Sequence, residues 1–301
     1  MKKTIFYSIV FLIILIIYKN NSNNLEKTNE WLKLQDSSNK EVKIYKKPTR
    51  VIVGTPLYAE IIIDLGSSSL IKGICDSKNN PEETLNIPKI GTPLNPNIEK
   101  IIELKPDLVV GFFGNYREKL EQALIPVFLA GQSKPPIGII NNINELFKTI
   151  EQIGKILDKT EEAAKLISEK KQFLNHIKET SVKYSKTSVA IVYMFDNQPP
   201  YIEGKETLAN ELLTYINAKN VFDDITSMQI SFEELLYKNP DIIITDPSQA
   251  KTIRQNRITA SLKAVKNNKI IEIPASKWTS SRIDDLLTSL IANIYKNDKK
   301  N

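Results

Sequence analysis

The chain reads as an α/β protein of two Rossmann-like lobes, each with a parallel sheet, joined by a single long α-helix, with a ligand cleft between the lobes. Three observations predict this. Short apolar runs alternate with amphipathic stretches in two separate regions, which is the signature of βαβ units. Between those regions lies a proline-free stretch of helical periodicity, and one local plan occurs once in each region.

The amino terminus comes first. Lys2 and Lys3 precede an almost unbroken apolar run over residues 4–18, the pattern of a secretory signal. No small-x-small cleavage site follows, only Tyr18-Lys19-Asn20-Asn21, so removal of residues 1–18 and their retention as an N-terminal anchor both stay open. The single cysteine, Cys75, lies far downstream, so no lipid-attachment Cys follows the run and no intrachain disulfide can form. Residues 19–30 form a polar tether.

The N-terminal lobe is assigned to residues 31–142. Trp31-Leu32-Lys33-Leu34 and Glu41-Val42-Lys43-Ile44 alternate like strands around the turn Asp36-Ser37-Ser38-Asn39, which predicts a hairpin. From Arg50 onward, apolar strands at 51–53, 71–74, 108–110 and 127–129 are separated by amphipathic segments. Residues 143–184 carry Leu146, Ile150, Ile153, Ile156, Leu157, Ala164 and Ile167 at helical spacing, interrupted at Leu157-Asp158-Lys159-Thr160; the simplest reading is one connecting helix, kinked at that break. Such a strut resists hinge motion. The C-terminal lobe, residues 185–301, repeats the alternation and closes on a helix near residues 283–295.

The repeated plan is the most informative feature. Glu99-Lys100-Ile101-Ile102-Glu103-Leu104-Lys105-Pro106-Asp107-Leu108-Val109-Val110 and Glu233-Glu234-Leu235-Leu236-Tyr237-Lys238-Asn239-Pro240-Asp241-Ile242-Ile243-Ile244 are each a short helix opened by an acid, stopped by Pro-Asp and followed by a buried strand. Asn97 and Ser231 occupy equivalent N-cap positions, and Ser231 with Glu234 fits a capping box.

These residues, with Arg50-Val51-Ile52-Val53 leading into Pro56-Leu57-Tyr58-Ala59-Glu60-Ile61, the step Pro88-Lys89-Ile90-Gly91 and the late Ala264-Val265-Lys266-Asn267-Asn268-Lys269, carry a family resemblance. The chain resembles the ABC solute-binding proteins that have a rigid helical backbone between lobes and serve ferric siderophores, haem, cobalamin and related chelates. Through Gln198-Pro199-Pro200-Tyr201-Ile202-Glu203-Gly204-Lys205-Glu206-Thr207 and Ser276-Lys277-Trp278, the C-terminal lobe is most similar to the cobalamin-binding members. Aromatics of those members match Ser77 and Pro93 here, and the acid before the late Trp is Lys277, so cobalamin becomes one ligand among several. The resemblance implies docking on a membrane permease through glutamates at the positions of Glu99 and Glu233, which the repeat places at equivalent points of the two lobes.

A binder of this fold uses loops at the carboxyl ends of its parallel strands. The candidate walls are Tyr58, Phe112, Tyr116, Tyr201 and Trp278, for a planar or chelated ligand. Arg117, Lys277 and Arg282 are the candidate cations for an anionic one. Bare divalent metal is disfavoured, since the only histidine, His176, falls on the connector among Lys and Glu. Axial haem ligation by Tyr58 or Tyr193 stays open.

Enzyme classes fail at their motifs. There is no Gly-x-Ser-x-Gly, and Val53-Gly54-Thr55-Pro56-Leu57 lacks a dinucleotide fingerprint. The 41 basic residues against 35 acidic ones give +6, but they form no basic stripe interleaved with aromatics, so a nucleic-acid partner is not expected. The expected protein is a monomeric, non-catalytic receptor in the periplasm with no cofactor of its own. Its ligand would be a metal chelate, and its partners an ABC permease dimer with its ATPase, the membrane being reached through the permease and, if retained, the N-terminal segment. A membrane-tethered sensor or scavenger on the same fold is the alternative.

Overall fold

The computed structural model describes residues 31–111, 116–131, 140–195 and 198–296. The signal and tether expected over residues 1–30 lie outside the described residues. β1 (Leu32–Gln35) and β2 (Glu41–Ile44) form the expected antiparallel hairpin, Leu34 opposite Val42. Its turn is closed by Asp36, whose Oδ1 accepts from the backbone N–H of Ser38 at 2.9 Å and of Lys40 at 3.0 Å.

The N-terminal lobe then runs β3 (Val51–Val53), α1 (Pro56–Asp64), β4 (Ile71–Ile74), the small hairpin β5 (Gly91–Thr92) and β6 (Asn95–Pro96), α2 (Ile98–Glu103), β7 (Leu108–Val110), α3 (Tyr116–Gln122) and β8 (Val127–Phe128). Its sheet is parallel throughout, in the order β4-β3-β7-β8. Helices cover both faces, so β3, β7 and β8 read as continuous apolar runs and are wholly buried.

The connector departs from the expected single helix. α4 (Ile143–Leu157) and α5 (Thr160–Ser181) are separate helices that fold back on each other. Asp158, at φ 58°, is a left-handed C-cap, and Lys159 N–H donates to the Gly154 carbonyl at 2.7 Å, the long bond of a Schellman turn. A Cβ on Gly154 would lie 2.5 Å from Ala163 Cβ, so glycine is what lets the helices meet at the turn. Farther along, Lys171 Nζ sits 5.5 Å from the Phe147 ring centroid. In one straight helix those residues would be about 36 Å apart; only reversal brings them together. α4 opens against the C-terminal lobe and α5 begins beside the N-terminal lobe, where Lys47 pairs with Asp158 at 2.8 Å. The strut between lobes is thus two helices thick.

The C-terminal lobe contains β9 (Thr187–Tyr193), β10 (Tyr201–Ile202), α6 (Leu208–Tyr215), β11 (Ala218–Asn220), β12 (Met228–Gln229), α7 (Phe232–Lys238), β13 (Ile242–Thr245), α8 (Pro247–Gln255), α9 (Lys263–Lys266), β14 (Ile270–Glu272) and α10 (Ile283–Ile294). β11 and β13 pair with β9 in parallel and β14 with β13, while β10 and β12 add an antiparallel edge, so this sheet is mixed where a parallel one was expected. One apolar core runs through both lobes by way of α4 and α5, from Val42 to Tyr295.

The repeated plan is a structural repeat. Lys105 and Asn239, each before the Pro-Asp pair, turn the chain at φ 48° and 39°. Asp107 N–H donates to the Arg50 carbonyl at 3.0 Å, and Asp241 N–H to the Ser188 carbonyl at 3.1 Å. Each Asp carboxylate then accepts from the start of the neighbouring strand: Thr49 and Arg50 in one lobe, Ser188 in the other. Asn97 and Ser231 cap their helices as expected, accepting from Lys100 N–H at 3.0 Å and Glu234 N–H at 3.1 Å.

Candidate ligand cleft

The carboxyl ends of β3 and β4 face the turn Ala275–Thr279 across the gap between lobes. A cavity of about 230 Å³ lies there, with Glu60, Lys78 and Asn80 on one side and Ser276, Lys277 and Ser280 on the other. A second cavity of about 490 Å³ adjoins it at Thr279, walled by Asn141, Tyr201, Glu203, Thr226 and Trp278.

What holds the two sides in register is an inter-lobe clamp. Glu60 on α1 is buried, and its Oε2 accepts from Ser280 Oγ at 2.7 Å, Ser281 N–H at 2.7 Å and Ser281 Oγ at 3.1 Å. Ser280 Oγ in turn accepts from Arg282 N–H at 3.0 Å. Beside it Arg282 reaches Asp64 at 3.3 Å and Glu83 at 3.6 Å, and the buried Lys170 of α5 pairs with Asp284 at 3.0 Å. Burial pushes the Asp64 carboxyl above its ordinary range, an effect that Arg282 partly offsets.

The first cavity is cationic at its mouth. Lys78 and Lys277 are exposed, one from each lobe, and neither has an ion pair among the described residues. Glu60, the carboxylate that lines this cavity, turns its Oε2 to three donors of the opposite lobe. The second cavity is aromatic and polar. Tyr193 and Tyr201 pack with centroids 6.4 Å apart, and Trp278 is 5% exposed with an indole N–H that meets no partner among the described residues. Burial raises the Glu203 carboxyl, whose Oε2 accepts from Ser227 Oγ at 3.2 Å. The half-buried Glu203 carboxyl on this wall can bind hydrogen-bonding groups of a ligand whose rings or alkyl parts lie on Tyr201 and Trp278.

The expected wall and cation residues divide. Tyr201, Lys277 and Trp278 line the cleft. Tyr58 does not: it is core, its hydroxyl bonding the Ala130 backbone at 3.1 Å and its ring pressed on Gly111, where an added Cβ would come within 2.2 Å. Burial drives its phenol well above the ordinary range, and its carbonyl partner fixes it away from any ligand. Arg117 is likewise structural, held by Asp36 at 2.6 Å, Glu121 at 2.7 Å and the Val127 carbonyl at 3.1 Å. Arg282 belongs to the clamp. Tyr116 hydrogen-bonds Asn95 Oδ1 at 3.3 Å and lines neither cavity. Phe112 lies outside the described residues. His176 is exposed on α5, and burial pushes the Cys75 thiol up to about 12, so it stays protonated.

Lys78, Glu60 and Glu203 escaped the sequence reading as site residues. Lys78 had a signal, since it follows β4 directly in the polar turn Asp76-Ser77-Lys78-Asn79-Asn80. Glu60 had none, because its partners are more than two hundred residues away.

Two α/β lobes, a helical strut and a lined cleft between them define a solute receptor. The chain belongs to the periplasmic binding protein family, whose model matches residues 51–276. It is 30% identical over 268 residues to an ABC transporter substrate-binding lipoprotein of Bacillus subtilis, covering 87% of this chain and 85% of that one. A vitamin B12-binding protein of Pectobacterium carotovorum is 24% identical over 211 residues, covering 69% of this chain and 74% of its own. A crystal structure from Staphylococcus epidermidis, of a possible iron-binding periplasmic solute-binding protein, superposes with a TM-score of 0.70 at 26% identity, covering 83% of this chain and all of that one. Members of this family bind solutes outside the cytoplasm on behalf of ABC transporters.

Proposed function

We propose that this chain captures an anionic or amphipathic metal chelate in the inter-lobe cleft and delivers it to an ABC permease dimer with its ATPase. The observation that carries the ligand class is the pairing of Lys78 and Lys277 from opposite lobes at one cavity, next to a wall of Tyr201 and Trp278. Cations of this kind neutralise carboxylate or catecholate oxygens on the chelate's rim, and the tyrosine and tryptophan faces take its apolar parts. The names of the vitamin B12-binding relative and the possible iron-binding structure favour the same class, and relatives named for ABC transport favour import over a tethered sensor. The role is binding, without chemistry on the ligand. Glu99 and Glu233 are the docking acids: both are exposed in the first turns of α2 and α7 and have no ion pair among the described residues. The protein works in the periplasm, with residues 1–18 either removed or kept as an anchor.

Titration calorimetry tests the ligand class. The probes are ferric citrate, a neutral ferric trihydroxamate, cyanocobalamin, haemin, and zinc and manganese chlorides. Micromolar or tighter binding of at least one chelate is expected. Such binding by bare zinc or manganese alone would overturn the reading.

A further inference from the structure

The stretches of chain around the two docking acids both carry exposed apolar side chains, at similar though not identical offsets. Five residues before Glu99 stands Leu94, and five residues before Glu233 stands Met228, which are 80% and 47% exposed. One helical turn after each acid, on the same helix face, stand Ile102 and Tyr237, 42% and 87% exposed. Each acid, itself at an equivalent point of the structural repeat, is thereby bracketed along the chain by exposed large apolar groups, the second of them three residues on in one lobe and four in the other. Single exposed apolar residues are ordinary, but a patterned set around a charge is the make-up of an interface, apolar contacts with a charged partner group.

Building on the docking reading above, we infer that each lobe presents a composite contact of an acid with two apolar knobs: Glu99 with Leu94 and Ile102, and Glu233 with Met228 and Tyr237. The partner that fits is a membrane protein with two equivalent patches, each a cation beside an apolar pocket, as a two-fold symmetric permease provides. The acids select and orient by charge complementarity, and the apolar groups lengthen the life of the complex by excluding water around the ion pair. The knobs need not be alike, because Leu94 lies in the turn between β5 and β6 whereas Met228 lies in the edge strand β12.

Site-specific photocrosslinking decides the matter. Benzoylphenylalanine is placed singly at positions 94, 228, 100 and 234 of the full-length protein, the last two beside the acids and leaving both acids in place, with Leu124, 92% exposed on the N-terminal lobe, as the control. Each variant is irradiated in membranes of the source cells and the adducts are identified by mass spectrometry. Positions 94 and 228 should both give adducts with the permease subunits of an ABC importer, position 124 should not, and Glu99→Lys with Glu233→Lys should abolish the adducts while the melting temperature holds. Permease adducts from 100 and 234 without any from 94 and 228 would overturn the composite contact and leave the acids as docking residues. No permease adduct from any of the four would overturn both.

Discussion

Glu60→Ala is expected to lower the unfolding free energy by about 3 kcal/mol, and to loosen the cleft at the same time. Hydrogen bonds to a charged group are worth about 1.5–3 kcal/mol, and removing one partner strands the others. Three donors converge on Glu60 Oε2, all from Ser280 and Ser281 in the opposite lobe. Water entering from the adjoining cavity replaces part of that loss, which keeps the expected figure below the sum of three bonds. Those serines directly follow the turn Ala275–Thr279 that presents Lys277 and Trp278, so the cleft wall loses its anchor with the carboxylate. Glu60→Gln keeps an accepting oxygen and should recover much of the stability. Urea unfolding of the three proteins checks this. A loss under about 1 kcal/mol for the alanine variant would mean that the lobes are held in register by the α4–α5 strut alone.

Reversing both cleft lysines, Lys78→Glu with Lys277→Glu, is expected to weaken binding of an anionic chelate at least about a hundredfold, with single Lys→Met changes near tenfold, since a charge-assisted contact at a partly desolvated site is worth about 1.5–3 kcal/mol and each 1.4 kcal/mol is tenfold. Binding of a neutral ferric trihydroxamate should change little. Both lysines are exposed, so the melting temperature should hold. Raising salt should weaken the wild-type complex more than the single variants, because ionic screening acts on the contacts they lack. Calorimetry at two ionic strengths reads all of this, and equal affinity in wild type and double reversal would remove the cations from the ligand site.

The strands and the repeat were legible in the sequence because each is local. Val51 to Val53, Leu108 to Val110 and Ile242 to Ile244 are uninterrupted apolar runs, the last two directly after Pro-Asp stops, and buried parallel strands demand such runs. The reversal between α4 and α5 was seen only as a break. Its C-cap is Asp158 where a glycine would have signalled a left-handed stop, and the apolar period continues in similar phase beyond it. The short strands β10, β11 and β12 left no pattern, since two or three residues cannot show an alternation.

The site was half legible for a related reason. Lys277, Tyr201 and Trp278 sit on loops that the strand-end rule selects, and they line the cleft. Arg117 and Arg282 sit on such loops too, but Asp36 lies 81 residues from the first and Asp64 lies 218 from the second. A cation's availability depends on acids brought near by folding, and spacing along the chain does not reveal them. Tyr58 misled in the same way: a tyrosine at a helix start after a strand looks like a cleft wall until Ala130 and Gly111 close around it.

The most direct test of the central claim is a crystal structure of the protein with ferric citrate, or whichever ferric chelate binds most tightly, with anomalous data collected at the iron edge. The expected result is one anomalous peak between the lobes, with chelate oxygens within hydrogen-bond reach of both Lys78 and Lys277 and the rest of the ligand over Tyr201 and Trp278. An iron peak on the outer face of one lobe, or a chelate in the cleft that touches neither lysine, would contradict it.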